Sequence, residues 1–222
     1  MDAQTEGYAA AVSSETETYL DRVADCAGRL PGAIDAYGVD DDAFATAVDD
    51  IAAAESDCDD ALRELRRLLS ERSPPNYTDV YLRADDVARL YAAVDEIPNA
   101  VERFARELRA IAPSLGGARA IVEEMASLAV EATEALAAAT GEYVESLLVE
   151  GGTASVGPAV EEIRALESAA DRLKYEGLAA AFDEAATPDA LVVRELVVGL
   201  DAAIDAVEDA ADQLLVLRSG KP

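Results

Sequence analysis

From Val87 to Ile111 an apolar side chain returns every three or four residues without a gap: Val87, Leu90, Val94, Ile97, Val101, Phe104, Leu108 and Ile111. Only a helix puts residues so spaced on one face. The same rhythm links Phe44, Val48, Ile51, Cys58, Leu62, Leu65 and Leu69, and again Val193, Val197, Leu200, Ile204, Val207, Ala211 and Leu214. Stripes of this kind bury themselves against one another in antiparallel helical bundles with short turns. The composition agrees. Aromatic residues are 5% of the chain, Trp is absent, and Val and Ile follow helical and not alternating spacing.

Pro and Gly divide the sequence into six helical stretches, at about 8–29, 41–72, 83–111, 118–149, 157–184 and 188–218. Gly28 and Pro31 are read as ending the first, Ser73-Pro74-Pro75 the second and Pro113 the third; Pro158 lies in the first turn of the fifth, and Pro188 opens the sixth. The halves repeat. Val48-Asp49-Asp50-Ile51, Glu55-Ser56 and Asp59 are answered by Val160-Glu161-Glu162-Ile163, Glu167-Ser168 and Asp171. Leu90, Asp95, Ala100-Val101-Glu102, Ala105 and Leu108 return as Leu196, Asp201, Ala206-Val207-Glu208, Ala211 and Leu214. The expected fold is therefore all-α, two tandem three-helix bundles with six helices. Residues 1–115 form the first module and 116–222 the second, packed as one compact unit, with Pro113-Ser114-Leu115-Gly116-Gly117 between them.

The 222 residues suffice to bury a core of about 70% of the unfolded surface without staples. Acids outnumber bases 46 to 18, giving a net charge of −28, and only Lys174 and Lys221 are lysines. Such a chain repels nucleic acid and anionic membrane surfaces. Acidic, Lys-poor surfaces look like those of salt-accumulating archaea, where molar salt shortens the Debye length to about 3 Å. No apolar run reaches the roughly 18 residues that span a bilayer, and the start MDAQTEGYAA has neither a basic n-region nor an apolar h-region. Cys26 and Cys58 make no disulfide framework. A cytoplasmic protein, peripheral to membrane at most, is expected.

Histidine is absent, which removes Ser-His-Asp and Cys-His catalysis and the Glu-x-x-His di-iron site. The Gly151–Gly157 loop has no P-loop Lys and no strand before it, so it reads as an interhelical turn. Carboxylates remain. About ten acid pairs at i,i+4 are expected by chance in so acidic a chain, but two features stand above that background. Glu55 falls where the second helix's stripe calls for an apolar residue, and a lone buried carboxylate needs a partner or a cation. Its pattern recurs at Glu167 and Asp171, and the third helix of each half adds a polar stripe: Asp95, Asn99, Glu102, Arg106, then Asp201, Asp205, Glu208, Asp212. Residues at i, i+4 and i+7 share a face. Oxygen-only clusters suit Fe³⁺, Mn²⁺, Mg²⁺ or Ca²⁺; a solvated, salt-adapted face is the plainer alternative. Pro98 is expected to kink the third helix, and Cys58 and Cys26 to be small buried apolar residues.

The repeated Glu-x-x-x-Asp on the second helix, followed by Asp-x-x-x-(Asp/Asn)-x-x-Glu on the third, resembles the PhoU-like family over essentially the whole chain. The match is best at Ile163–Asp171 and Leu200–Asp212. It lies nearest the branch that accompanies Pit-type phosphate permeases, in which an aromatic or basic residue follows the second-helix motif, here Lys174-Tyr175. The more regular motif before the third helix of PhoU proper is missing. The resemblance implies two three-helix bundles, a cytosolic protein without catalytic activity, and, as in some members, iron or zinc at the motifs. Carried over by position, the metal ligands would be Glu55, Asp59, Asp95 and Glu102 in one module, and Glu167, Asp171, Asp201, Asp205 and Glu208 in the other. Asn99 and Arg106 dilute the first set, so a cation (Fe, Mn, Mg, Ca or Zn) is expected at the second.

Three functions are open at this point. The first is a regulator or accessory of phosphate transport, bound to a permease or transporter component, with a second copy of itself as a further candidate partner. The second is an interaction scaffold unrelated to phosphate. The third is a carboxylate-metal enzyme, which would need an open coordination site and a general base.

Overall fold

The computed structural model describes residues 3–70, 83–149, 151–184 and 186–219. Among them lie eight α-helical segments and no strand: α1 (Ala3–Gly28), α2 (Leu30–Ala36), α3 (Asp41–Ser70), α4 (Ala84–Val94), α5 (Glu96–Ile111), α6 (Arg119–Leu148), α7 (Gly157–Glu184) and α8 (Thr187–Ser219), with a 3₁₀ turn at Gly116–Ala118. They form the six expected rods, because α1–α2 and α4–α5 are each one rod with a joint. The stop at Ser73-Pro74-Pro75 lies outside the described residues.

Both joints refine the sequence reading. Pro31, expected to end the first helix, instead stands in the first turn of α2, after a break at Arg29. There its missing N–H would have had no helical acceptor anyway. Pro98, expected inside a continuous kinked helix, stands in the first turn of α5, because the rod breaks at Asp95. The break relieves the ring of its clash with the preceding turn. Asp40 caps α3 by accepting the Ala43 N–H at 2.9 Å.

Within the first half α1, α3 and α5 pack on one another, and within the second α6, α7 and α8 do so. Across the halves α1 lies along α6, while α4 and α5 lie along α8, so one continuous apolar core runs through both. Val87, Leu90, Ile51, Val197 and Leu200, all from the sequence stripes, are fully buried in it. At Gly177 a side chain on α7 would come within 3.2 Å of Ile121 on α6 and 3.5 Å of Val197 on α8, so glycine sets how closely these three helices approach. Arg119, the first residue of α6, donates to the carbonyls of Ile34, Asp35 and Tyr37 at 2.7–3.2 Å. The Tyr37 hydroxyl bonds the Pro113 carbonyl. These contacts satisfy orphan groups at the end of α2 and pin it to the mid-chain crossing.

Candidate functional site: two carboxylate faces

The packing of α3 on α5 and of α7 on α8 brings together the acids that the motifs pointed to. On the first face, Glu55 and Asp95 are both half-buried. The spacing expected Glu55 on the core stripe, but Ala54 takes that position and Glu55 lies on its flank. Partial burial raises the Glu55 pKa, and the charges of Glu102, Asp59 and Asp95 raise it further. Asp95 is raised for the same reason, burial first and then Asp59, with Arg66 and the nearby Tyr19 hydroxyl working the other way. Its Oδ1 is buried without a hydrogen-bond partner. Asp59 and Glu102 have cations of their own: Arg63 at 3.6 Å and Arg106 at 2.9 Å. Asn99 turns to its own helix, donating to the Asp95 carbonyl at 2.6 Å.

The second face is built differently. Lys174, one turn beyond Asp171 on α7, reaches across to α8 and donates to both Asp171 and Asp201, the latter at 2.7 Å. The lysine side chain keeps 17% of its exposure and that of Asp201 only 9%. Its Nζ also lies 5.4 Å from the centre of the Tyr175 ring. Asp205, on the rim, is pushed up to about 6 by partial burial and then by the charge of Asp201, despite Lys174 nearby. Burial likewise raises Glu208, with Glu167 and Asp212 adding to it. Glu167 accepts from Ser168 at 3.3 Å. Asp212 pairs with Arg164 at 2.8 Å.

All nine candidate ligands thus fall on the two expected helix pairs, Glu55, Asp59, Asp95 and Glu102 on one and Glu167, Asp171, Asp201, Asp205 and Glu208 on the other. Yet among the described residues no group of three or more His, Cys, Asp or Glu side chains is disposed to hold a metal ion. The residues that sequence reasoning missed are the cations. In the sequence Lys174 reads only as part of a motif, and Arg63, Arg106 and Arg164 do not read as partners of the acids. A basic residue one turn from an acid was the available signal.

Cys26 and Cys58 are buried, as expected, and lie together. Contact with Cys26 and then burial push the Cys58 thiol up, which makes it a poor nucleophile. The groove between α1 and α6, about 520 Å³, is lined by Glu17, Asp21, Glu134 and Glu145 around small residues such as Ala137 and Gly141. None of the described helices is long and apolar enough to cross a membrane.

No protein-family model matches the chain, and no curated protein matches it. Solved structures do. A PhoU-like phosphate regulatory protein from Shewanella oneidensis superposes with a TM-score of 0.75 at 18% identity, over 94% of this chain and 99% of that one. A PhoU-like protein from the same organism gives 0.76 at 18% identity, over 93% and 96%. The fold is PhoU-like. PhoU from Pseudomonas aeruginosa aligns over 98% of this chain and 97% of its own, at a lower TM-score of 0.54 and 16% identity. The PhoU-like fold thus covers 94% of the chain in the first of these superpositions, in line with the motif resemblance.

Proposed function

We propose that the protein is a regulator or accessory of phosphate transport that works by binding a protein partner, a phosphate permease of the Pit type or a component that acts with one. The observation that carries this reading is the end-to-end match to a PhoU-like phosphate regulatory protein, 94% of one chain on 99% of the other. Binding is favoured over turnover by the chemistry of the side chains. The chain has no histidine, its thiols are buried, and Asp59, Glu102, Asp171, Asp201 and Asp212 on the two faces are each paired with Arg or Lys. A protein partner is favoured over free phosphate because carboxylates line the α1–α6 groove and the chain carries a charge of −28.

The experiment is co-purification from the native cell at high salt with the retained partner identified. Recovery of a phosphate permease or transporter component is the expected result. Isolation of the chain alone, together with a phosphatase activity that needs Glu167 and Asp171, would overturn the reading in favour of an enzyme.

A further inference from the structure

We propose that Lys174 is the built-in cation of the second carboxylate face, and that this face consequently takes no metal ion.

The argument begins with where the chain spends its lysines. There are two, against 46 acids, and one of them is held at 17% exposure between Asp171 and Asp201. Its ammonium bridges α7 and α8 at the point where the carboxylates of the two helices converge. A hard cation would need the same lone pairs, several of them at about 2.0–2.6 Å. The tethered ammonium holds them already, at the cost of ordering one side chain, whereas a metal ion arrives from solution and must first shed water. The remaining acids of the face complete no group of three ligands with Asp171 and Asp201: Asp205 is exposed, Asp212 is paired with Arg164, Glu167 accepts from Ser168, and Glu208 stands half-buried on its own.

The first half shows the contrast. At the position equivalent to Lys174, three residues beyond Asp59, stands Leu62, fully buried in the core. Among the described residues no lysine enters that face, and Asp95 Oδ1 is left without a partner. The two repeats have thus diverged in how they neutralise the same motif. The second is closed by its own side chain, and its integrity is independent of metal supply. This inference concerns the face itself and holds whatever partner the protein binds.

The test uses Mn²⁺ titrated into the purified chain, with the free ion read by electron paramagnetic resonance and helicity by circular dichroism. Wild type and the D171N/D201N variant should bind the same amount of Mn²⁺, because none resides on the second face; any ion retained by both belongs elsewhere. Lys174→Met should gain a stoichiometric Mn²⁺ that D201N removes, and the ion should raise its melting temperature. Lys174→Gln serves the same purpose should the methionine variant fail to fold. Wild-type Mn²⁺ binding that D171N/D201N abolishes would overturn the proposal, as would a folded Lys174 variant that gains no ion.

Discussion

The buried polar contacts of the first half are concentrated on Tyr91. Its hydroxyl meets Thr16 Oγ1 at 2.5 Å, its carbonyl accepts from the Tyr19 hydroxyl at 3.2 Å, and the two rings meet edge to face at 5.6 Å. Thr16, Tyr19 and Tyr91 are all buried, so none of these groups can turn to water. Tyr91→Phe keeps the ring and strips Thr16 of its partner; a loss of about 1–3 kcal/mol is expected in urea unfolding. Thr16→Val in the same background should cost little more, since both polar ends are then gone. At this scale the sequence was readable where period and chemistry agreed. Ile51 can be followed on its stripe by residue 54 or 55, and periodicity alone placed Glu55 there; the preference of a core for Ala over a carboxylate decides for Ala54. The role of Lys174 was not readable, because it depends on how closely α8 approaches, a matter settled 27 residues away in sequence.

Among the elements, the six rods followed from the apolar spacing and the turn residues, and their described ends agree with the observed helices to within a few residues except in the first rod, which starts at Ala3 and continues through α2 to Ala36. The joints did not follow. A proline among helical residues signals either a kink or a fresh start, and only the chain's course at Arg29 and Asp95 distinguishes them. Because Pro98 lies in a first turn, Pro98→Ala should change stability by less than about 1 kcal/mol, well below the roughly 3 kcal/mol of a mid-helix proline. The end of α5 behaves in the opposite way. Ala112 closes that helix in the left-handed region, φ 47° and ψ 50°, with its N–H on the Leu108 carbonyl. Left-handed backbone costs a non-glycine residue about 1–2 kcal/mol. Ala112→Gly should therefore stabilise the protein by up to about 1 kcal/mol after the added freedom of the unfolded chain is counted, read as a higher melting temperature.

On the scale of the whole molecule, 46 acids against 18 bases press the surface outward. Weak screening should leave that repulsion unopposed, so the melting temperature at about 0.1 M KCl is expected to fall below that at about 3 M. Equal values would remove salt adaptation as the reason for the charge. The fold also has a consequence for how the protein is made. The face of α1 that α3 leaves uncovered is closed by α6, down to the contact between Ser13 and Glu145, 132 residues apart. Near the other end, Arg83 reaches the Leu217 carbonyl across 134 residues. At about 5–20 residues per second, a ribosome needs on the order of ten seconds to supply the partner of a helix it has already released. For that interval the nascent N-terminal half carries an uncovered apolar seam bordered by Glu17 and Asp21, whose hydration would have to be stripped before two such seams on one polysome could join.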